Sequence, residues 1–333
     1  MTVSVMHGAQ VDVAGLEPLA RVATLAEERD RRLWLGQSFQ LDSHDALSAL
    51  AGRGHRVETG LAVAVAPLRT PFDAALRARS VAALTGRSMT VAYGIGTMSA
   101  ARSLRGEPLE RPGSYVRDYV RDVRSLLDGD ADQPMLPYPM DAPRVDVGCG
   151  VLRPRMARLA GQVADFAVTW MVPLPYLESA VLPGLARGAA EADRDRPRLV
   201  SVLQCAVARP GRVPPRLAAI ACGTHLGLPH YRAMLTDAGL ALDGHRGHDL
   251  RAALEAGLFA YGAPADVADV VAAHLRAGVD EVVLNVGSVA LEHGADAAVV
   301  DLAEILDATD ALTDPAHGGR TTPRPLATTG GTA

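Results

Sequence analysis

The stretch Glu58–Met98, ETGLAVAVAPLRTPFDAALRARSVAALTGRSMTVAYGIGTM, reads as one complete strand–helix–strand unit. Thr59–Val65 is a short apolar run. Pro71 then opens an Ala/Leu/Arg-rich stretch of helical period, at the first turn, where the proline's missing N–H is harmless. Met89–Tyr93 is the next apolar run, and it ends in Gly94-Ile95-Gly96-Thr97. An apolar run followed by a helical stretch and another apolar run points to βα units and a parallel sheet.

Outward from this unit the same rhythm repeats. The apolar runs Thr2–Met6, Arg32–Leu35, Thr59–Val65, Met89–Tyr93, Arg144–Val147, Phe166–Thr169, Val200–Val207 and Glu281–Val286 are the candidate strands. Helical stretches begin near Leu16, Asp45, Pro71, Ser114, Arg153, Pro175, His248 and Ala295. Eight such units close a barrel more naturally than an open sheet, so the fold class expected is α/β, a (β/α)8 TIM barrel. Two connections are longer than the rest, Ser99–Pro112 after strand 4 and Pro210–Gly247 after strand 7, the latter with a helical stretch at Pro229–Ala238. Long barrel insertions shape the pocket. The division expected is a barrel over 1–312 and a disordered tail over 313–333, where Thr, Gly and Pro dominate.

Composition removes several chemistries. Of 333 residues, 48% are hydrophobic and only four are Phe and two Trp, so the interior is built from Ala, Val and Leu, as in buried parallel sheets. The net charge of -5 gives no basic field for a nucleic acid. No apolar run reaches the roughly 18 residues of a membrane span, and the amino terminus lacks the pattern of a signal peptide; a cytoplasmic protein is expected. All 33 basic residues are arginine. Without lysine there is no Schiff-base chemistry and no Walker-type phosphate loop. Cys149, Cys205 and Cys222 form no CxxC pair, and His245 and His248 show no carboxylate or cysteine cluster around them, so no metal is expected.

In such a barrel the site lies at the carboxyl ends of the strands. Those ends carry His7-Gly8, Gly36-Gln37-Ser38, Ala64–Pro67, Gly94-Ile95-Gly96-Thr97, Gly148-Cys149-Gly150, Trp170 and Asn285-Gly287. Glycine there admits a flat ring or a phosphate close to the backbone, or simply makes a tight turn. His7 follows the first strand and is expected at the mouth; His225 and His230 lie in the long insertion. His44, His55, His274 and His293 are expected at the surface, and Tyr93 in the core. Tyr115, Tyr176 and Tyr231 are further proton donors by type.

The segments RLWLGQSFQLDSHDALSALAGR, Glu58–Met98, GEPLERPGSYVRDYVRDVRSLLDG and VDVGCGVLRPRMARLAGQVADFAVTW, taken in order, resemble successive parts of the luciferase-like F420-dependent oxidoreductases. The likeness covers about the first 190 residues and resumes more weakly at LPHYRAML and AGVDEVVLNV. It implies a bacterial-luciferase-like barrel holding coenzyme F420, or alternatively FMN. It also implies a bulge with a non-proline cis peptide at Ala62-Val63, behind the deazaflavin ring. Gln37 and Ser38 would supply polar contacts to the cofactor, and Gly94, Gly96 and Thr97 would border it. Cys149, Gly150, Val151, Leu152 and Arg153 would receive its phosphate at a helix start. Many relatives carry an Asp-His pair where this chain has Gln37-Ser38, which argues against alcohol oxidation.

The expectation is therefore an F420H2-dependent reductase delivering hydride to an activated C=C or C=N bond. Its substrate would be a small molecule or a modified peptide from natural-product biosynthesis, such as a dehydroamino acid or cyclic imine. Proton-donor candidates are His7, Ser38 and His230; Trp170, His7, His225 and His230 are substrate-binding candidates. The alternatives are an FMN-dependent monooxygenase and a non-catalytic barrel acting as a binding partner. The resemblance further implies a homodimer.

Overall fold

The computed structural model describes residues 2–8, 15–129 and 142–313. Eight parallel strands close on themselves: β1 (Thr2–His7), β2 (Leu33–Leu35), β3 (Thr59–Val65), β4 (Met89–Gly94), β5 (Val145–Gly150), β6 (Phe166–Trp170), β7 (Arg198–Val207) and, completing the circle against β1, β9 (Glu281–Asn285). Closure runs through β6 on β7, β7 on β9 and β9 on β1. The expected eight-stranded barrel is therefore present. The tail expected over 313–333 lies, apart from Thr313 at the end of the last helix, outside the described residues.

One strand was not foreseen. The four residues of β8 (Phe259–Gly262) pair with Gln204–Val207, above the level at which β6 leaves β7. Four residues are too few to show a period, and they sit between two helices, Arg246–Glu255 and Pro264–Arg276, that the sequence reading merged. The insertions fall where expected. After β4 the chain forms the helix Met98–Arg105; after β7 it forms Pro214–Leu226 and Pro229–Asp237. The helix expected from Pro175 begins at Leu174, widens into a π-helical turn at Leu177–Val181 and resumes at Leu182. Pro183 lacks the N–H that a regular helix would give to Ser179, and the wide turn sits where that bond is missing.

The strands are buried on both faces, which is why they read as continuous apolar runs rather than alternating ones. Val3, Val5, Leu33, Leu35, Val91 and Val147 face the helical layer, whereas Met6, Trp34, Ala92, Phe166, Val168, Val200, Val202 and Val283 fill the barrel interior. The floor of that interior is polar. Glu281, 1% exposed, accepts from Ser4 Oγ at 2.7 Å, Trp34 Nε1 at 2.8 Å and Arg32 Nη1 at 2.7 Å. A buried carboxylate so fully hydrogen-bonded closes the amino-terminal end and leaves the opposite end for chemistry.

The β7 insertion is tied down at its start by a buried acid. Asp301, with no exposure, accepts from Val207 N at 2.9 Å and Arg209 Nε at 3.1 Å, and pairs with Arg212, whose side chain is 4% exposed. This fixes the exit of β7 on the last helix, Ala295–Thr313. No described helix is long and apolar enough to cross a membrane.

Candidate functional site at the barrel mouth

Period-two alternation, continued one step beyond the interior side chains, defines the uppermost inward ring. It consists of Gly8, Gly36, the β3 bulge, Gly94, Gly150, Trp170, Gln204 and Asn285. On β3 Leu61 faces Val91 but Ala64 faces Tyr93, so three steps oppose two, and the Ala62–Val63 peptide bond is cis. The bulge turns two consecutive side chains, Ala62 and Val63, against the interior cluster. Val63 stands between two glycines: a Cβ on Gly94 would lie 3.0 Å from Val63 Cγ2, and one on Gly150 3.0 Å from Val63 Cγ1. A Cβ on Gly36 would meet nothing nearer than Ala62 O at 3.9 Å. One half of the mouth is therefore backbone and space, backed by a valine. Among the described residues this ring carries no ionisable side chain.

The loop after β2 is held by its own polar groups. Gln37 donates from Nε2 to Ser38 O at 2.8 Å and accepts the Val65 N–H on Oε1 at 3.2 Å, joining the exits of β2 and β3. Ser43 Oγ donates to Gly36 O and receives the Ser38 N–H. Ser38 is 4% exposed, and its hydroxyl accepts from Gln40 N. After β4, Gly96 takes φ +68°, a left-handed turn that suits glycine, and Thr97 caps the next helix by accepting the Ala100 N–H at 3.0 Å. After β5, Val151 N–H is committed to Val168 O at 2.8 Å, so this amide does not face a ligand. Leu152 is half-buried, and Arg153 is exposed at the start of the helix Pro154–Val163. The Cys149 thiol is fully enclosed on the helix-facing side of β5, and burial pushes it up to about 12.

The opposite half of the mouth is aromatic and polar. The Trp170 ring lies 5.6 Å from His225, His225 meets Tyr231 edge-on at 4.9 Å, and His230 lies 4.9 Å from Tyr231. The helices of the β7 insertion thus bring His225 and His230 to the exit of β6, where Met171 turns the chain with φ +54°. Arg153, at the start of the helix after β5, is close enough to act on His230. Burial lowers the His230 pKa, and the Arg153 charge lowers it further. Three separate sequence candidates, Trp170, His225 and His230, are in this way assembled in one place.

Proton donation from imidazole is disfavoured by the same burial. His225 is pushed down to about 4, by desolvation first and the His230 charge second. His7 is 5% exposed and also pushed down to about 4 by burial. It shares the β1 face of Val3 and Val5, toward the helices, and does not stand in the inward ring. With a pKa near 4, only about one imidazole in a thousand is charged at pH 7.

Other histidines differ from expectation. His44 and His274 are 2% and 5% exposed, not surface residues; His44 Nδ1 lies 3.2 Å from Asp42 and 3.1 Å from Arg69. His245 and His248 do have a carboxylate beside them: Asp243 lies 3.4 Å and 2.8 Å from their Nδ1 atoms and is held down to about 2, chiefly by the His248 hydrogen bond. Asp243 precedes His245 by two residues and His248 by five; all three are exposed, with their ligand atoms within 4.8 Å of one another. Tyr93 is in the core as expected.

Gln204 was missed altogether. It is 2% exposed, and its Nε2 has no hydrogen-bond partner among the described residues. The signal was available: in VSVLQCAV the positions Val200, Val202 and Gln204 share one face, and the third is an amide.

No curated protein sequence matches. Solved structures that superpose include an F420-dependent secondary alcohol dehydrogenase in complex with an F420–acetone adduct, 15% identical, TM-score 0.67, covering 91% of this chain and 98% of that one. Others are the EDTA monooxygenase EmoA from Chelativorans sp. BNC1, 13% identical, TM-score 0.68, covering 94% of each chain, and the coenzyme F420-dependent tetrahydromethanopterin reductase from Methanopyrus kandleri, 16% identical, TM-score 0.64, covering 88% of this chain and 97% of that one. At such identities they establish the shared fold. The family model described as luciferase-like monooxygenase matches residues 1–281, and the chain belongs to that family.

Proposed function

We propose that the protein is an F420H2-dependent reductase that transfers hydride to an activated C=C or C=N bond. The observation that carries this reading is the inward ring at the mouth: glycine just past β2 and at the ends of β4 and β5, a valine wall at the β3 bulge, and no ionisable group. A flat ring would lie against Val63 and the missing side chain of Gly36, and an inward ring without an acid, base or nucleophile calls for a cofactor that brings the reactivity. The residues proposed to hold it are Gln37 and Ser38 through their loop, Ala62, Val63, Gly94, Gly96 and Thr97 around the ring, and Gly150 to Arg153 toward its phosphate. When bound, a reduced deazaflavin supplies a two-electron hydride.

The chain's own residues then orient the substrate and exclude water. His7 and His225, with pKa values near 4, are neutral at pH 7, so neither supplies the proton as an imidazolium. The exposed side chains Phe39, in the loop after β2, and Met98, at the start of the helix after β4, give the rim an apolar edge, which supports a substrate as large as a modified peptide. The homodimer is likewise a proposal, supported by Leu76 and Leu84, both exposed on the outer helix Pro71–Thr85.

Titration with F420 and with FMN, each followed by fluorescence, tests the cofactor. Anaerobic return of the oxidised-deazaflavin absorbance on adding an unsaturated substrate tests the reaction. Binding of neither cofactor overturns the reading. Preference for FMN with oxygen uptake would establish the second reading, an FMN-dependent monooxygenase, which the likeness to the EDTA monooxygenase keeps in view.

A further inference from the structure

We propose that Gln204 and Trp170 form a donor wall that binds the oxygen of an acyl group conjugated to the reduced bond, so that the substrate class is an α,β-unsaturated carbonyl compound. This rests on the reductase reading above and names its substrate side.

Both donors are buried nitrogen atoms without a hydrogen-bond partner among the described residues, Gln204 Nε2 and Trp170 Nε1. They belong to adjacent strands and to the same inward ring. Trp170 is registered against Val202, and Gln204 stands two residues further along β7, about 6.6 Å on. Asn285, registered against Gln204 on β9, does not accept from it; its Oδ1 takes the Gly287 N–H at 2.9 Å and packs against Gly8. Both N–H groups thus belong to the β6–β7 side of the ring, across from Gly36, Gly94 and Gly150.

The chemistry of the pair selects the ligand. Trp170 Nε1 is a donor only, and the free end of Gln204 is its NH2 group, so the complementary atom is an acceptor. A carboxylate would call for a cation, and the ring holds none. A neutral carbonyl oxygen that acquires charge during the reaction fits better, because neutral donors bind it more strongly as the charge develops. In the balanced step the β-carbon gains hydride and the C=C π pair moves through the α-carbon onto the carbonyl oxygen. The enolate so formed takes a proton from water at the α-carbon, and the reduced deazaflavin that supplied the hydride ends oxidised.

The test uses the full-length protein, 2-cyclohexen-1-one as substrate and 4-nitrophenolate as a stable mimic of the enolate oxygen. The mimic is titrated by its absorbance shift, with and without oxidised F420. The parent protein is expected to bind it, and Gln204→Leu and Trp170→Phe to weaken it about tenfold each, as loss of one hydrogen bond to a charged oxygen does. On the enone, kcat is expected to fall by a similar factor with KM little changed and F420 affinity unaltered. Equal nitrophenolate binding by parent and both variants overturns the proposal, as does failure of the parent to bind it while it still binds F420. Failure to bind F420 or FMN at all overturns the reductase reading instead, and the two failures are told apart by the separate titrations.

Discussion

Val63 Cγ2 lies 3.0 Å from the point a Cβ would occupy on Gly94. The contact is tighter than side chains ordinarily make, so Gly94→Ala must push the valine by a few tenths of an ångström, into the space assigned to the ring. The same holds for Gly150→Ala on the other methyl. Each is expected to cost about 1 kcal/mol of stability, at the low end of overpacking, and to weaken F420 or FMN binding about tenfold. Gly36→Ala separates the two effects. Its methyl would touch no protein atom within 3.9 Å, so urea stability should stay within about 0.5 kcal/mol while cofactor affinity drops. Undiminished affinity in Gly36→Ala would place the ring elsewhere.

Asp301→Ala removes the acceptor of the Val207 N–H and leaves Arg212, 4% exposed, without its carboxylate and with only the Val207 carbonyl at 2.7 Å. Breaking a buried pair from one side costs about 3–5 kcal/mol, more than removing the pair together. Equilibrium urea unfolding should show that loss, and the double variant Asp301→Leu/Arg212→Leu should recover part of it. Because Asp301 holds the exit of β7, limited proteolysis of Asp301→Ala is expected to cut first in the Pro210–Gly247 insertion.

Burial holds His7 and His225 near pKa 4, against 6.5 in the unfolded chain. The folded state therefore binds fewer protons than the unfolded one between these values, and stability falls as the pH drops from 6.5 toward 4. The slope is ~1 kcal/mol for each pH unit and each histidine, and above pH 6.5 neither contributes to it. Urea unfolding from pH 4 to 8 measures the slope. His7→Gln should reduce it by about one proton, and an unchanged slope would mean that His7 titrates normally.

The barrel was legible because parallel strands buried on both faces are continuous apolar runs, and each of the eight could be counted. What failed was short or depended on neighbours in space. β8 has four residues, and Phe259–Gly262 takes its strand form from the edge of Gln204–Val207 rather than from its own pattern. Within the site, the glycine ends and the bulge at Ala62-Val63 were readable, through the resemblance as much as through the residues. The direction of His7 was not, since a residue at a strand end belongs to either face until the register is known. Gln204 was overlooked because it lies inside an apolar strand and not at a turn, where polar residues draw attention. The meeting of Trp170, His225, His230 and Arg153 requires the fold of the insertion, which no local spacing encodes.

The same limit hides why the helix after β5 sits where it does. Gly161 and Gly188 look like casual breaks in Ala-rich helices, yet they let two backbones touch. A Cβ on Gly188 would fall 1.9 Å from Arg158 O, and one on Gly161 2.4 Å from Leu185 O. Backbone cannot rotate away as a side chain can, so Gly188→Ala must separate Pro154–Val163 from Leu182–Glu191. The cost should exceed that of Gly94→Ala, at about 3 kcal/mol, the upper end of overpacking. The displaced helix is the one whose first turn carries Arg153 toward His230. Gly188→Ala is therefore expected to weaken F420 more than FMN, if the longer phosphate-bearing chain of F420 reaches that turn, although the glycine is remote from the mouth. Equal loss for both cofactors would confine the effect to stability, and side-by-side fluorescence titrations of Gly188→Ala decide between the two.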